Sequence, residues 1–133
     1  MKMHRVAPPE AATERAVLTH VMLDMYGIDS ELLNDPDRIG KLLTGAAAAA
    51  SLHPLAEPAT YRYPRQGLTV FLPIRESHFA IHTYPEYGYA SVDIVSCALA
   101  ERAVRARDYV LDRLGPERHE SDLIFRGFPE NAA

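Results

Sequence analysis

Apolar and polar residues alternate in part over residues 15–27, with Val17, Val21, Leu23 and Met25 apolar and Thr19 and Asp24 polar. A period of two predicts a strand that ends at Tyr26-Gly27. At Asp35-Pro36 the pattern changes: an N-cap carboxylate followed by a first-turn proline opens a run with Ile39, Leu42, Leu43, Ala46, Ala47 and Ala50 at helical spacing. The alanines over 46–50 favour helix and let it lie close to a sheet. After Pro54 and Pro58 the chain is strand-like over 59–63, 67–74, 77–84 and 89–97, interrupted at 64–66, Arg75-Glu76 and 85–88. Separators this short predict a meander. Ala103, Val104, Ala106, Val110, Leu111 and Leu114 mark a second helix over 98–114, stopped by Gly115-Pro116, and 121–125 reads as a last strand.

Strands joined by short turns, with two helices to cover one face, predict an α+β two-layer sandwich built on an antiparallel sheet. The other face is then left bare. Its aromatic and β-branched residues point to a second copy packing face to face, in an αββα arrangement. Residues 1–13, with Pro8-Pro9, and 128–133 lack periodicity and are expected to be flexible tails of one domain over 1–133.

Composition narrows the class. With 47% hydrophobic and 24% charged residues the chain is globular rather than disordered. A net charge of -4 gives no footprint for a phosphate backbone, so no nucleic-acid partner is expected. Cys97 is the sole cysteine, which excludes an internal disulfide and multi-cysteine zinc sites and fits a reducing compartment. No apolar run approaches the roughly 18 residues of a membrane span, and a cytoplasmic protein without a membrane partner is expected.

The densest chemistry lies from Glu76 through Ser77, His78, His82 and Glu86 to Asp93 and Cys97. His78 and His82 have the i, i+4 spacing of metal ligands on a helix, but on a strand they stand about 13 Å apart, so no metal site is expected. If Ser77 pairs opposite Val95 or Cys97, the hydroxyl and the thiol share a face roughly 5–8 Å apart; a register shifted by one turns Cys97 away. His82, five positions from Ser77, points to the opposite face, and reaching Ser77 requires a bulge, a bend or a second subunit. A Ser77, His82, Asp93 hydrolase is disfavoured because no G-x-S-x-G elbow is present. Singly, these residues have ordinary readings, a lone cysteine in an apolar run being above all a small buried hydrophobe.

Read as one string, Glu76-Ser77-His78, His82-Thr83-Tyr84-Pro85-Glu86-Tyr87-Gly88-Tyr89-Ala90, Asp93 and Cys97 resemble the prokaryotic S-adenosylmethionine decarboxylase proenzyme family, and the order of elements extends the resemblance over 18–127. The resemblance implies a pyruvoyl-dependent enzyme that cleaves itself between Glu76 and Ser77 and converts Ser77 into a pyruvoyl cofactor. That group forms a Schiff base with the substrate amine and accepts the electrons released with CO2. It further implies that His82 assists self-cleavage and lies by the adenine. Cys97 returns a proton after decarboxylation. By the same resemblance, Thr69 stands where a serine supports processing, Glu86 meets the ribose hydroxyls and Tyr63 stacks on adenine. The implied product is the decarboxylated aminopropyl donor of polyamine synthesis, and the implied assembly is a homodimer of cleaved protomers with active sites at the interface.

The chain departs from the family pattern at Thr69, at Tyr84 where tryptophan is common, and at Ala98 where glycine is usual. Relatives with the same processing machinery decarboxylate ornithine or arginine. Those substrates are one alternative; an uncleaved, non-enzymatic binding homologue is the other.

Overall fold

Asp35 caps the first long helix as its position predicts, its Oδ1 accepting the N–H groups of Asp37 at 3.1 Å and Arg38 at 3.2 Å. The computed structural model describes residues 16–129; the tail expected at 1–13 and most of that at 128–133 lie outside them. In chain order the elements are β1 (Leu18–Tyr26), α1 (Ser30–Leu33), α2 (Pro36–Ala49), β2 (Ala59–Arg62), β3 (Leu68–Ile74) and β4 (Ser77–Tyr84). A 3-10 turn (Pro85–Tyr87), β5 (Tyr89–Ser96), α3 (Ala100–Leu114) and β6 (Arg118–Arg126) follow. The six strands form one antiparallel sheet in the order β2-β3-β4-β5-β1-β6. The meander is therefore as expected, and β1 sits between its last strand and β6.

Alternation sorts the two faces. Val21, Leu23 and Met25 of β1, Leu68, Val70, Leu72 and Ile74 of β3, Phe79 and Ile81 of β4, and Val92 and Ile94 of β5 are buried. They pack with Ile39, Leu43, Ala46 and Ala47 of α2 and Ala103, Ala106 and Val110 of α3 in one core. The α+β class stands: six antiparallel strands with two main helices on one face. The opposite face carries His20, Met22, Phe71, His78, His82 and Asp93, with Met22, Phe71 and Tyr61 exposed. No helix among the described residues is long and apolar enough to cross a membrane.

Several boundaries differ from the sequence reading: β1 starts at Leu18 rather than 15, and β2, β3 and β5 each lose one end residue. The one-turn α1, capped by Asp29 Oδ1 on the Glu31 N–H at 3.4 Å, is too short to show a helical period. β6 starts at Arg118 rather than 121, because every residue from Arg118 to Arg126 pairs with β1 although the strand is polar at its start. An edge strand exposed to water does not need the alternation by which strands are read. α3 starts at Ala100, with Leu99 as its N-cap residue.

Candidate active site

The β3–β4 turn consists of Arg75 and Glu76 alone, and the next residue, Ser77, has φ +150°. That conformation belongs to glycine, and a serine there carries about 1–3 kcal/mol of backbone strain that the surroundings must impose. Pairing does so: Ser77 lies opposite Ile74 on β3 and Ser96 on β5. The Glu76 carbonyl oxygen accepts the Cys97 backbone N–H at 2.8 Å. The Glu76 carboxylate is held as well, Oε1 by the His53 N–H at 3.0 Å and Oε2 by His53 Nδ1 at 2.7 Å. An ionised carboxylate only accepts, which assigns the proton to Nδ1. Burial opposes ionisation of Glu76, but the His53 hydrogen bonds outweigh it and hold the carboxyl below its ordinary range. The contact therefore stabilises the fold at neutral pH. The contribution is lost as the pH falls below the ordinary carboxylate value and through the lowered one.

Ser77 Oγ lies 3.3 Å from His78 Nδ1, and the His78 ring packs on Phe71 with centroids 5.4 Å apart. Of the two registers left open by the sequence, the structure takes the one that turns Cys97 away from Ser77. Tyr84 pairs with Tyr89 across a turn ended by Gly88 at φ +60°, which sets Ser77 opposite Ser96 and leaves Cys97 one residue past the strand. The shared face for hydroxyl and thiol is thus replaced by a backbone contact, the slip of one that reverses every side chain. The thiol is exposed, not the buried hydrophobe that a lone cysteine ordinarily is. Buried Ser96 accepts the Ala98 N–H at 3.0 Å and turns the chain out of the sheet.

A second cluster stands at the other end of β4. Thr69 Oγ1 lies 2.9 Å from His82 Nδ1 and 2.6 Å from the Tyr63 hydroxyl, which is itself 3.5 Å from that nitrogen. The Tyr63 and Tyr84 rings are 6.0 Å apart, and Tyr89 and Tyr26 extend the row at 5.6 and 5.3 Å. Burial, then the neighbouring Tyr63 and Glu86, push the Tyr84 hydroxyl up. Burial and its hydrogen bond to Asp24 Oδ1 at 2.6 Å do the same to Tyr89. Exposed Glu86 lies in the adjoining turn.

Gly67 shapes this end. At φ +97° its N–H reaches Asn34 Oδ1 at 3.1 Å and its carbonyl accepts the Tyr63 N–H at 3.0 Å, while a Cβ would stand 2.6 Å from the Thr83 carbonyl oxygen. Gly67→Ala is expected to cost about 2 kcal/mol and to lower Tm by roughly 5–10 °C in a calorimetric scan.

Within one chain the two clusters stay apart. His82 is five residues along β4 from Ser77, about 16 Å at strand rise. No bulge intervenes, since residues 77 to 84 pair without interruption. Asp93 pairs across from Ala80 and Met22 and lies 3.4 Å from His20 Nε2, so the imagined Ser77, His82, Asp93 hydrolase is not assembled. His53 was missed by the sequence reading; between Leu52 and Pro54 it carries no periodic signal, and only folding brings it to Glu76.

The S-adenosylmethionine decarboxylase family model matches residues 19–127. The chain is 35% identical over 111 residues to the S-adenosylmethionine decarboxylase proenzyme of Aquifex aeolicus, covering 84% of this chain and 82% of that one. It is also 35% identical over 112 residues to the arginine decarboxylase proenzyme of Pyrobaculum arsenaticum, covering 82% and 84%. The crystal structure of the adenosylmethionine decarboxylase from Aquifex aeolicus superposes with a TM-score of 0.83 at 32% identity, over 90% of this chain and 98% of that one. With the fold, the motif string and these relatives in agreement, the chain belongs to the S-adenosylmethionine decarboxylase family.

Proposed function

We propose that this protein cleaves itself between Glu76 and Ser77 and then decarboxylates S-adenosylmethionine. The observation that carries the reading is the strained Ser77 at φ +150°, joined to a carbonyl whose oxygen rests on the Cys97 N–H. Strain at a peptide unit raises its energy before reaction, and a donor on the carbonyl oxygen favours the negative charge that develops there under attack. The residues therefore fit a pyruvoyl precursor. Ser77 Oγ adds to the Glu76 carbonyl carbon, the C–N bond breaks, the hydroxyl proton passes to the departing nitrogen, and an ester links the two halves. Loss of the Ser77 α-proton expels the Glu76 carboxylate and leaves a dehydroalanine, which takes up water and releases ammonia. A pyruvoyl group at position 77 supplies an electrophilic carbonyl and an electron sink for decarboxylation.

The remaining roles follow from the chemistry of each group. His78, in contact with Ser77 Oγ, is available to accept its proton. Cys97, an exposed thiol whose backbone N–H rests on the Glu76 carbonyl, donates a proton to the α-carbon after CO2 leaves. His82, with Thr69 as its hydrogen-bond partner, assists the elimination. Tyr63 offers a face to adenine or the sulfonium, and Glu86 two acceptor oxygens to the ribose hydroxyls.

His82 reaches Ser77 by way of a second copy. The two clusters occupy opposite ends of β4, and His82 lies on the sheet face that no helix covers. A twofold axis between two such faces sets the Ser77 end of one protomer against the His82 end of its partner. The assembly is accordingly a homodimer of cleaved protomers.

Arginine is the second reading, favoured by the name of the Pyrobaculum arsenaticum relative. Release of labelled CO2 from S-adenosylmethionine, arginine and ornithine, run beside intact mass, separates them. The expected result is two chains, 1–76 and 77–133, and release from S-adenosylmethionine at least tenfold faster than from either amino acid, the equivalent of about 1.4 kcal/mol. Release from arginine alone would replace the substrate and leave the mechanism standing.

A further inference from the structure

Glu76 is held at more points than a turn residue requires. Both oxygens of its carboxylate are engaged by one residue, His53, through a backbone N–H and a ring N–H, and its side chain is only 13% exposed. His53 is anchored in turn: its carbonyl accepts the Arg75 N–H at 2.8 Å, Leu55 donates to the Pro73 carbonyl at 2.9 Å, and Pro54 bridges to Ile74. Residues 53–55 thus run on along the edge of β3 beyond β2, and carry the imidazole on backbone rather than on a free loop. The ring itself is 54% exposed, so it contributes little to packing.

We propose that His53 is a positioning residue for self-cleavage, clamping the Glu76 side chain so that the Glu76 carbonyl stays seated on the Cys97 N–H and in reach of the Ser77 hydroxyl. The proposal rests on the self-cleavage reading above. The positive φ of Ser77 persists only while the residues on both sides are fixed. Ser77 is fixed by its strand partners, Ile74 and Ser96. Glu76 belongs to no strand, so rotation of its peptide unit is opposed by the Cys97 N–H and by the clamp. Two bonds from one residue to one carboxylate restrict the Glu76 side chain as a ring closure does. A charged acceptor makes them stronger than neutral ones. After scission Glu76 is the last residue of the first chain, and the same contacts retain it.

The test follows conversion of freshly translated full-length chain into its two products by intact mass over time. The wild type is compared with His53→Ala, His53→Asn, Glu76→Ala and the Glu76→Ala/His53→Ala double variant, with Tm measured for each. His53→Ala is expected to slow conversion about tenfold, the loss of one hydrogen bond to a charged acceptor. His53→Asn, whose side-chain amide donates from nearly the place of Nδ1, is expected to recover most of the rate. In the Glu76→Ala background, loss of the ring is expected to change the rate by less than about twofold, because the partner is already gone. The proposal is overturned if His53→Ala converts at the wild-type rate, or if its effect is the same with and without the carboxylate, or follows the fall in Tm with no recovery in His53→Asn. A wild-type chain that never splits overturns the self-cleavage reading itself, and the clamp with it.

Discussion

Ser77→Ala is expected to remain a single chain indefinitely and to release no CO2 above background from S-adenosylmethionine. Alanine has no oxygen to attack the Glu76 carbonyl, so neither the ester nor the elimination that follows it can occur, and no electrophilic carbonyl arises at position 77. The scaffold should tolerate the change. The positive φ of Ser77 is imposed by pairing with Ile74 and Ser96, and alanine has the same Cβ in the same place. Thermal unfolding within a few degrees of wild type, together with one mass instead of two, is the expected signature. Full decarboxylation by the uncut variant would end the pyruvoyl reading.

Cys97→Ala separates the two tasks assigned to that position. What touches the scissile unit is the Cys97 backbone N–H, 2.8 Å from the Glu76 carbonyl oxygen, and alanine keeps it. Self-cleavage is therefore expected to go to completion. The thiol is lost, and with it the proton donor, so turnover is expected to fall by about 100- to 10,000-fold, the usual worth of a positioned acid. Intact mass reads the first outcome and labelled CO2 release the second. Unchanged turnover would remove Cys97 from the decarboxylation step, whereas an uncut precursor would show that the side chain, and not the main chain, supports processing.

The separation of the clusters bears on how the enzyme is built. Tyr63, Thr69 and His82 are joined by hydrogen bonds at one end of β4, while Glu76, Ser77 and the Cys97 N–H meet at the other. A strand cannot fold back on itself over five residues, so under the reading proposed above the site is completed by a second copy. The sheet face opposite the helices carries His78 and His82 on the same side, and it is the surface that the proposed dimer would use.

Much of this was legible in the residue order. Alternation along β3, β4 and β5 and the 3.6-residue period of α2 and α3 reflect burial of one face of each element, a local consequence of side-chain direction, and their boundaries were read to within two residues. The string of hydroxyl, imidazole, carboxylate and thiol groups from Glu76 to Cys97 was equally visible, because side-chain identity is given by the sequence itself. Three things were decided by the tertiary structure alone. The β4–β5 register turned on the conformation of the Pro85–Tyr87 turn, and a shift of one residue there moves Cys97 from beside Ser77 to beyond the strand. The φ of Ser77 is forced by strands on either side of it, not by its own preference, which opposes it. The pairing of His53 with Glu76 joins residues 23 apart through the course of a loop, and no local pattern encodes where a loop returns. Identity and period are properties of neighbours in the chain; register, strain and long-range contact belong to the packed whole.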